Sequence, residues 1–158
     1  MSNKAERIAR MVGRSPAGGL DPHFEGYVEC FNREEYYEAH DVLEQLWLKN
    51  RGGPSGSFYK GLIQLAGAFV HLQKDRLRPA AALFKLAGAN LGPYAQDSGG
   101  TPLPQYPGPC AGAHEHLAAA PVVALIAHWL AQLERTDFQS NPLRSEAAPV
   151  LRLESIPQ

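Results

Sequence analysis

The stretch that decides the fold is Phe31-Asn32-Arg33-Glu34-Glu35-Tyr36-Tyr37-Glu38-Ala39-His40-Asp41-Val42-Leu43-Glu44-Gln45-Leu46-Trp47. Its apolar residues recur every three or four positions, which predicts an amphipathic helix. His40 and Glu44 are four residues apart, so they project one above the other on the apolar stripe that also carries Leu43 and Trp47. Because burying an imidazole and a carboxylate costs free energy unless both find partners, this pair is the first candidate for a functional site.

Length and composition indicate one soluble globular domain. The chain has 158 residues, of which 44% are hydrophobic and 20% are charged. These values are typical of a single domain that buries its core without disulfide bonds. The formal net charge is −1, and basic residues are scattered among acidic ones. The charge pattern therefore gives no basis for binding nucleic acid or an acidic membrane surface.

Cysteine usage and the amino terminus favour a cytoplasmic protein. Cys30 and Cys110 are too few for a disulfide framework, and neither lies in a CxxC metal pattern. Residues 1–13 contain no apolar segment of signal-peptide length, and no stretch approaches the length of a membrane span. We therefore expect no nucleic acid and no membrane as partners, and a homo-oligomer or a protein partner stays open. The sequence indicates no particular cofactor.

Helical periodicity predicts an all-α fold, a compact bundle of about five to six helices with one long loop. The predicted helices cover residues 3–12, 22–31, 33–49, 55–74, 79–90 and 114–134, with Leu83, Leu86 and Ala87 on the inner face of the fifth. Pro22 is expected at the first position of its helix. Asn32 is expected to end that helix and to cap the next one, with Glu35 as its capping-box partner.

Glycine and proline define the predicted loop and the domain limits. Residues 92–112 contain ten Gly or Pro among 21, a density that predicts a long loop without regular structure. The helical-bundle domain is predicted at 21–135. It follows a polar amino-terminal segment and linker at 1–20, and it precedes an irregular carboxy-terminal tail at 136–158, which we expect to lie on the bundle.

A short connection after residue 49 makes the next helix an antiparallel neighbour of the His40 helix. With Trp47 opposite Phe58, the pairing of the two helices places His40 opposite Gln64. Small residues at Gly61 and elsewhere in the second helix predict the close approach of another helix.

The facing helix completes a polar cluster. Glu44 falls opposite Lys60, while His71 shares the stripe of Gln64 but lies roughly 9 Å further along the helix axis than His40. The predicted ligand-binding residues beside the His40–Glu44 pair are Gln64, Lys60, Trp47 and the more distant His71. This separation gives no basis for a metal ion shared by the two histidines.

Three functions fit the predicted cluster. In a structural or interaction module, a buried His–Glu pair bridged to Gln64 holds two helices in register. In a small enzyme or ligand-binding protein, His40 and Glu44 form an acid/base couple and Gln64 orients a polar substrate group. A metal site at the same cluster needs a further histidine or carboxylate, because Glu38 and Asp41 are expected to point off the stripe. A cleft that reaches the pair favours the second function, and a sealed pair favours the first.

Two blocks of sequence resemble a known family. The first is Phe31-Asn32 followed by Glu35 to Trp47, and the second is Phe58-Tyr59-Lys60-Gly61-Leu62-Ile63-Gln64-Leu65-Ala66 with Phe69 and His71 beyond it. Over about residues 24–94 they resemble the bacterial and archaeal family catalogued as domain of unknown function 309. The resemblance implies a compact helical bundle and gives weight to His40 and Glu44. Since the family carries no established activity, the resemblance implies no reaction.

Overall fold

The computed structural model describes residues 22–53, 56–95, 113–114 and 117–151. The helices of these segments are α1 (Pro22–Asn32), α2 (Tyr36–Asn50), α3 (Gly56–Gln73), α4 (Leu77–Ala95) and α5 (Ala119–Arg135). Two-residue strands β1 (Ala113–His114) and β2 (Leu117–Ala118) pair antiparallel, and a 3-10 turn spans Pro142–Arg144. The predicted all-α bundle is confirmed. Among the described helices, none combines the length and the apolar character that crossing a bilayer requires.

Two predicted boundaries near the long loop are wrong. The helix predicted to end near residue 90 continues to Ala95 and encloses Pro93, because Leu91 and Tyr94 are buried and hold this turn against the bundle. The last helix begins at Ala119 rather than at 114, since Ala113–His114 and Leu117–Ala118 pair as strands. The predicted helix at 3–12, the linker at 14–20 and the loop at 96–112 lie outside the described residues.

The turn between α1 and α2 differs from the predicted capping box. Glu34 adopts a left-handed conformation with φ of 64°, and the amides of Glu34 and Glu35 donate to the carbonyls of Phe31 and Cys30 at 3.0 and 2.8 Å. This hydrogen-bond pair is a Schellman ending of α1. Helix α2 therefore starts at Tyr36, with Glu35 at its N-cap position and no side-chain cap.

Asn32 anchors the carboxy-terminal segment instead of capping α2. Its Nδ2 donates to the Leu151 carbonyl at 2.9 Å, and its Oδ1 accepts from the Leu151 amide at 2.7 Å. A second anchor is Asn141, whose Nδ2 donates to the Leu72 carbonyl at 2.6 Å and to Asp75 Oδ1 at 2.9 Å. Residues 136–151 therefore lie on the bundle, in agreement with the expectation for the tail.

Asn32→Ala should release this segment. The substitution removes both hydrogen bonds to Leu151 and leaves a partly buried backbone unsatisfied, so we expect a loss of about 1–3 kcal/mol in the free energy of unfolding. Chemical denaturation measures the loss, and faster hydrogen exchange at the Leu151 amide locates it. Asn50→Ala is the control, because Asn50 bonds only locally to the Leu46 carbonyl. Equal losses in the two variants would contradict the anchoring role.

Aromatic rings from all five described helices meet at the centre of the bundle. Phe69 of α3 lies 5.0 Å from Tyr36 of α2 and from Trp129 of α5, measured between ring centroids. Its distances to Phe31 of α1 and Phe84 of α4 are 5.6 and 5.3 Å. If Trp47 lies opposite Phe58 in an antiparallel pair, then Tyr36 lies opposite Phe69. The rings of Tyr36 and Phe69 stack in the structure, so the predicted pairing is confirmed.

Helices α3 and α4 approach each other at Gly61. A Cβ atom at this position would lie 2.6 Å from Cγ of the fully buried Leu91 and 3.2 Å from Cβ of Asn90. The close approach predicted for this glycine is confirmed. On α4 itself, Ala87 is buried as predicted, whereas Leu86 is half exposed and does not belong to the inner face.

Gly61→Ala should destabilise the protein, although alanine is the better helix former. The added methyl group overlaps Leu91, and overpacking of this kind costs about 1–3 kcal/mol. Gly92→Ala is the matched control, since nothing lies within 4 Å of a Cβ atom there and the helix should gain about 0.5–1 kcal/mol. Urea denaturation of both variants checks the sign difference. A Gly61→Ala protein as stable as wild type would refute this description of the contact.

Candidate functional site

His40 lies in the first half of α2 and pairs with its neighbour Asp41. Nδ1 of His40 donates to Oδ1 of Asp41 at 3.2 Å. The Asp41 residue is only 3% exposed, whereas the His40 side chain is 36% exposed. A neutral imidazole that donates through Nδ1 carries its lone pair on Nε2, where it can accept a proton. The expectation that Asp41 points away from the site is therefore wrong.

Glu44 completes a three-residue group with His40 and Asp41. Each of the three residues offers a ligand atom, and these atoms all lie within 4.8 Å of one another. The proximity predicted for His40 and Glu44 agrees with this geometry. Their predicted burial does not, because His40, Glu44 and Gln64 are all partly exposed and the carboxylate of Asp41 is the buried member.

A cleft opens beside His40, between α2, α3 and α4. Its volume is about 240 Å³. We call it the histidine cleft, because both His40 and His71 line it. The other lining residues are Tyr37, Ile63, Gln64, Gly67, Val70 and Leu83. The predicted position of His40 opposite Gln64 agrees with this arrangement.

Gly67 explains why two histidines that were expected to lie far apart share one cleft. It lies on α3 between Gln64 and His71, and it has no side chain to fill the space. A Cβ atom at Gly67 would lie 3.1 Å from Cδ1 of Leu83, so any larger residue would crowd the cleft. His71 is therefore a full member of the cleft rather than an outer one.

Gln64 is fixed by a residue that the sequence pattern did not indicate. Nδ2 of Asn90, on α4, donates to Oε1 of Gln64 at 2.7 Å. The hydrogen bond joins α3 to α4, and it orients the Gln64 amide so that its NH₂ group serves as the donor. Asn90 lies beyond the two helices from which the cluster was predicted, and no spacing relates it to Gln64.

One nitrogen of the His71 imidazole has no hydrogen-bond partner among the residues that the structure describes. Its Nδ1 atom is buried and accepts no hydrogen bond within the described part of the chain. Desolvation lowers the pKa of His71 below its ordinary value of 6.5, and the positive charges of Arg76 and Lys74 lower it further. At neutral pH the ring is therefore uncharged and can accept or donate a hydrogen bond.

Lys60 and Trp47 are not among the residues that line the histidine cleft. The side chain of Lys60 is exposed. Trp47 is only partly buried and packs at the edge of the core, with the Arg51 guanidinium 5.9 Å from its ring centroid. These two residues are thus outside the lining of the cleft, and the structure adds Asp41, Asn90 and Tyr37 to the predicted group.

These features define the class of protein as an all-helical bundle with a cleft on one side of its second helix. Residues 24–83 match the family model described as Domain of unknown function (DUF309), so the resemblance to that family is confirmed over this range. The matched range contains the His40 group and every residue that lines the cleft, but it stops short of the predicted limit at 94. Comparisons with curated proteins and with solved structures gave no match.

The depressed pKa of His71 predicts that the stability of the protein depends on pH. His71→Gln should make this dependence weaker. Because the folded-state pKa lies below 6.5, the unfolded chain takes up this proton first as the pH falls. The contribution of the neutral ring is fully present above the unfolded-state pKa and is lost as the pH falls through the folded-state pKa. Denaturation curves should therefore show that the free energy of unfolding falls more between about pH 7.5 and about pH 5 in wild type than in the variant. An equal fall in the two proteins would contradict the assignment.

Proposed function

We propose that this protein binds a small, largely apolar molecule with a hydroxyl group in the histidine cleft. The observation that carries the proposal is the Nδ1 atom of His71, a residue that lines the cleft: this atom is buried and has no hydrogen-bond partner among the described residues. Buried polar atoms in folded proteins nearly always have a partner, so an exception needs an explanation. A ligand hydroxyl that donates to this nitrogen supplies one, once a rotation of the partly exposed His71 ring turns the nitrogen toward the cleft.

The remaining polar groups of the cleft support the same ligand class. The Gln64 amide, held by Asn90 at 2.7 Å, donates to the oxygen of the same hydroxyl group. Ile63, Val70 and Leu83 line the rest of the cleft with apolar side chains. Few polar groups on an apolar wall are typical of small-molecule sites, where the polar groups fix the ligand's orientation.

The size of the cleft limits the ligand. Its volume of about 240 Å³ lies below the roughly 300–1,000 Å³ of sites for drug-sized molecules. A ligand of one ring or a short branched chain is therefore the right scale. Tyr37, which is 57% exposed, lies at the mouth with its ring centroid 6.5 Å from that of His40, so its ring can cover an occupant.

Proton transfer is a second candidate function, supported by the His40–Asp41 pair. A buried carboxylate that accepts from Nδ1 orients the imidazole and leaves the lone pair of Nε2 available to accept a proton, as a general base requires. In this candidate function Asp41 takes the place that was expected for Glu44, because Asp41 is the hydrogen-bond partner of His40. The structural role, in which the cluster holds two helices in register, has less support. The reason is that the His40–Asp41 hydrogen bond lies within α2 and joins no second helix.

The test of the binding proposal is a pair of matched probes, phenol and toluene, titrated into the full chain in buffer with a chelator. We expect phenol to shift the NMR signals of cleft residues and to bind at least about tenfold more tightly than toluene, since only phenol satisfies His71 and Gln64. Gln64→Leu should remove this preference while the circular dichroism spectrum stays that of wild type.

Gln73→Leu is the control, because Gln73 is an exposed glutamine of the same helix that lies outside the cleft and bonds to the Glu34 carbonyl. It should leave the preference for phenol unchanged. Equal affinity for the two probes, or signal shifts that lie away from the cleft, would refute the proposal.

A further inference from the structure

We infer that His40, Asp41 and Glu44 form a binding site for one divalent transition-metal ion on α2. The site shares His40 with the histidine cleft, but it does not depend on the ligand proposed there. The three residues lie within four positions of one helix, where residues three and four apart are neighbours. Their ligand atoms all lie within 4.8 Å of one another.

The distance between two of the ligand atoms fits metal coordination. Nδ1 of His40 and Oδ1 of Asp41 are 3.2 Å apart. Coordination through Nδ1 requires the ring proton to lie on Nε2, which is the other neutral tautomer of His40. Two atoms at this separation, each ~2.1 Å from one metal ion, then subtend an angle of ~100° at the metal, between the octahedral and the tetrahedral values. Because Glu44 is partly exposed and its side chain has three rotatable bonds, a small rotation brings its carboxylate to the same ion.

Charge and burial favour a cation at this place. Asp41 is 3% exposed, and a second carboxylate, Glu44, lies within 4.8 Å of it. Two neighbouring carboxylates attract a divalent cation, and the attraction is stronger where little water screens it. His40 adds a nitrogen ligand to the two carboxylates.

The composition of the group determines the class of metal. One imidazole and two carboxylates are suited to Zn²⁺, Mn²⁺, Co²⁺ or Fe²⁺, whereas Mg²⁺ and Ca²⁺ prefer oxygen ligands only. Three protein ligands from one helix leave further coordination positions open. These open positions can take water. His40 also lines the histidine cleft, so the proposed metal site and the cleft share this ring.

Cobalt binding to the full chain tests the inference. After treatment with a chelator, titration with Co²⁺ alone, followed by calorimetry and by absorption, should show one ion bound per chain. Glu44→Gln should weaken binding at least tenfold, and Asp41→Asn should do the same. Because Asp41 is buried and its variant could fail to fold, Glu44→Gln, at a partly exposed position, decides the matter by itself.

His128→Gln is the matched control, since it removes another histidine–carboxylate pair, in which His128 Nε2 lies 2.8 Å from Glu146 Oε1. It should bind Co²⁺ like wild type. Unchanged affinity in Glu44→Gln, absence of binding, or a thiolate charge-transfer band that places the ion at a cysteine would each overturn the inference.

The two proposals can fail separately. The phenol titration is done with a chelator present, so its result is independent of the metal. Gln64→Leu should abolish the preference for phenol and leave Co²⁺ binding intact. Glu44→Gln should weaken Co²⁺ binding and leave the preference for phenol intact.

Discussion

The contact on which the rest of this structure depends is the packing of four aromatic rings around Phe69. One ring comes from each of the other described helices: Tyr36, Phe31, Phe84 and Trp129, all with centroids within 5.6 Å of the Phe69 ring. Protein interiors are packed as densely as organic crystals, so a ring at the centre fixes where its neighbours lie. The position of each helix relative to α3 is therefore set at one residue.

The geometry of the histidine cleft follows from that packing. The stacking of Tyr36 on Phe69 aligns α2 with α3, and the next residues along each helix, Tyr37 and Val70, then face the cleft. One turn further along α2, His40 reaches the same surface. The site therefore lies at the edge of the core, where a side chain contacts both packed apolar groups and solvent. Such a position allows an imidazole to be oriented by a buried carboxylate and still meet a ligand.

Particular residues mark where sequence reasoning succeeded and where it failed. The spacing of His40 and Glu44 was sufficient to predict their proximity, because a helix fixes the distance between residues four apart. The short connection predicted after residue 49 was sufficient to predict the pairing of α2 with α3. Asp41 was missed because it is 100° around the helix from His40, and its burial depends on what packs against that side. The turn at Glu34 was missed because its left-handed residue is not a glycine.

The sequence by itself determined the helices, the antiparallel pairing of α2 and α3 and the group of polar residues on α2, since each depends on local periodicity or on a short connection. Only the tertiary structure decided that Asp41 is buried, that Asn90 holds Gln64 and that His71 joins His40 in one cleft. The last two features depend on α4 or on the empty space at Gly67, and the burial of Asp41 depends on what packs against its side of α2. Burial and cavities are properties of several segments packed together, and the pattern of any one segment does not contain them.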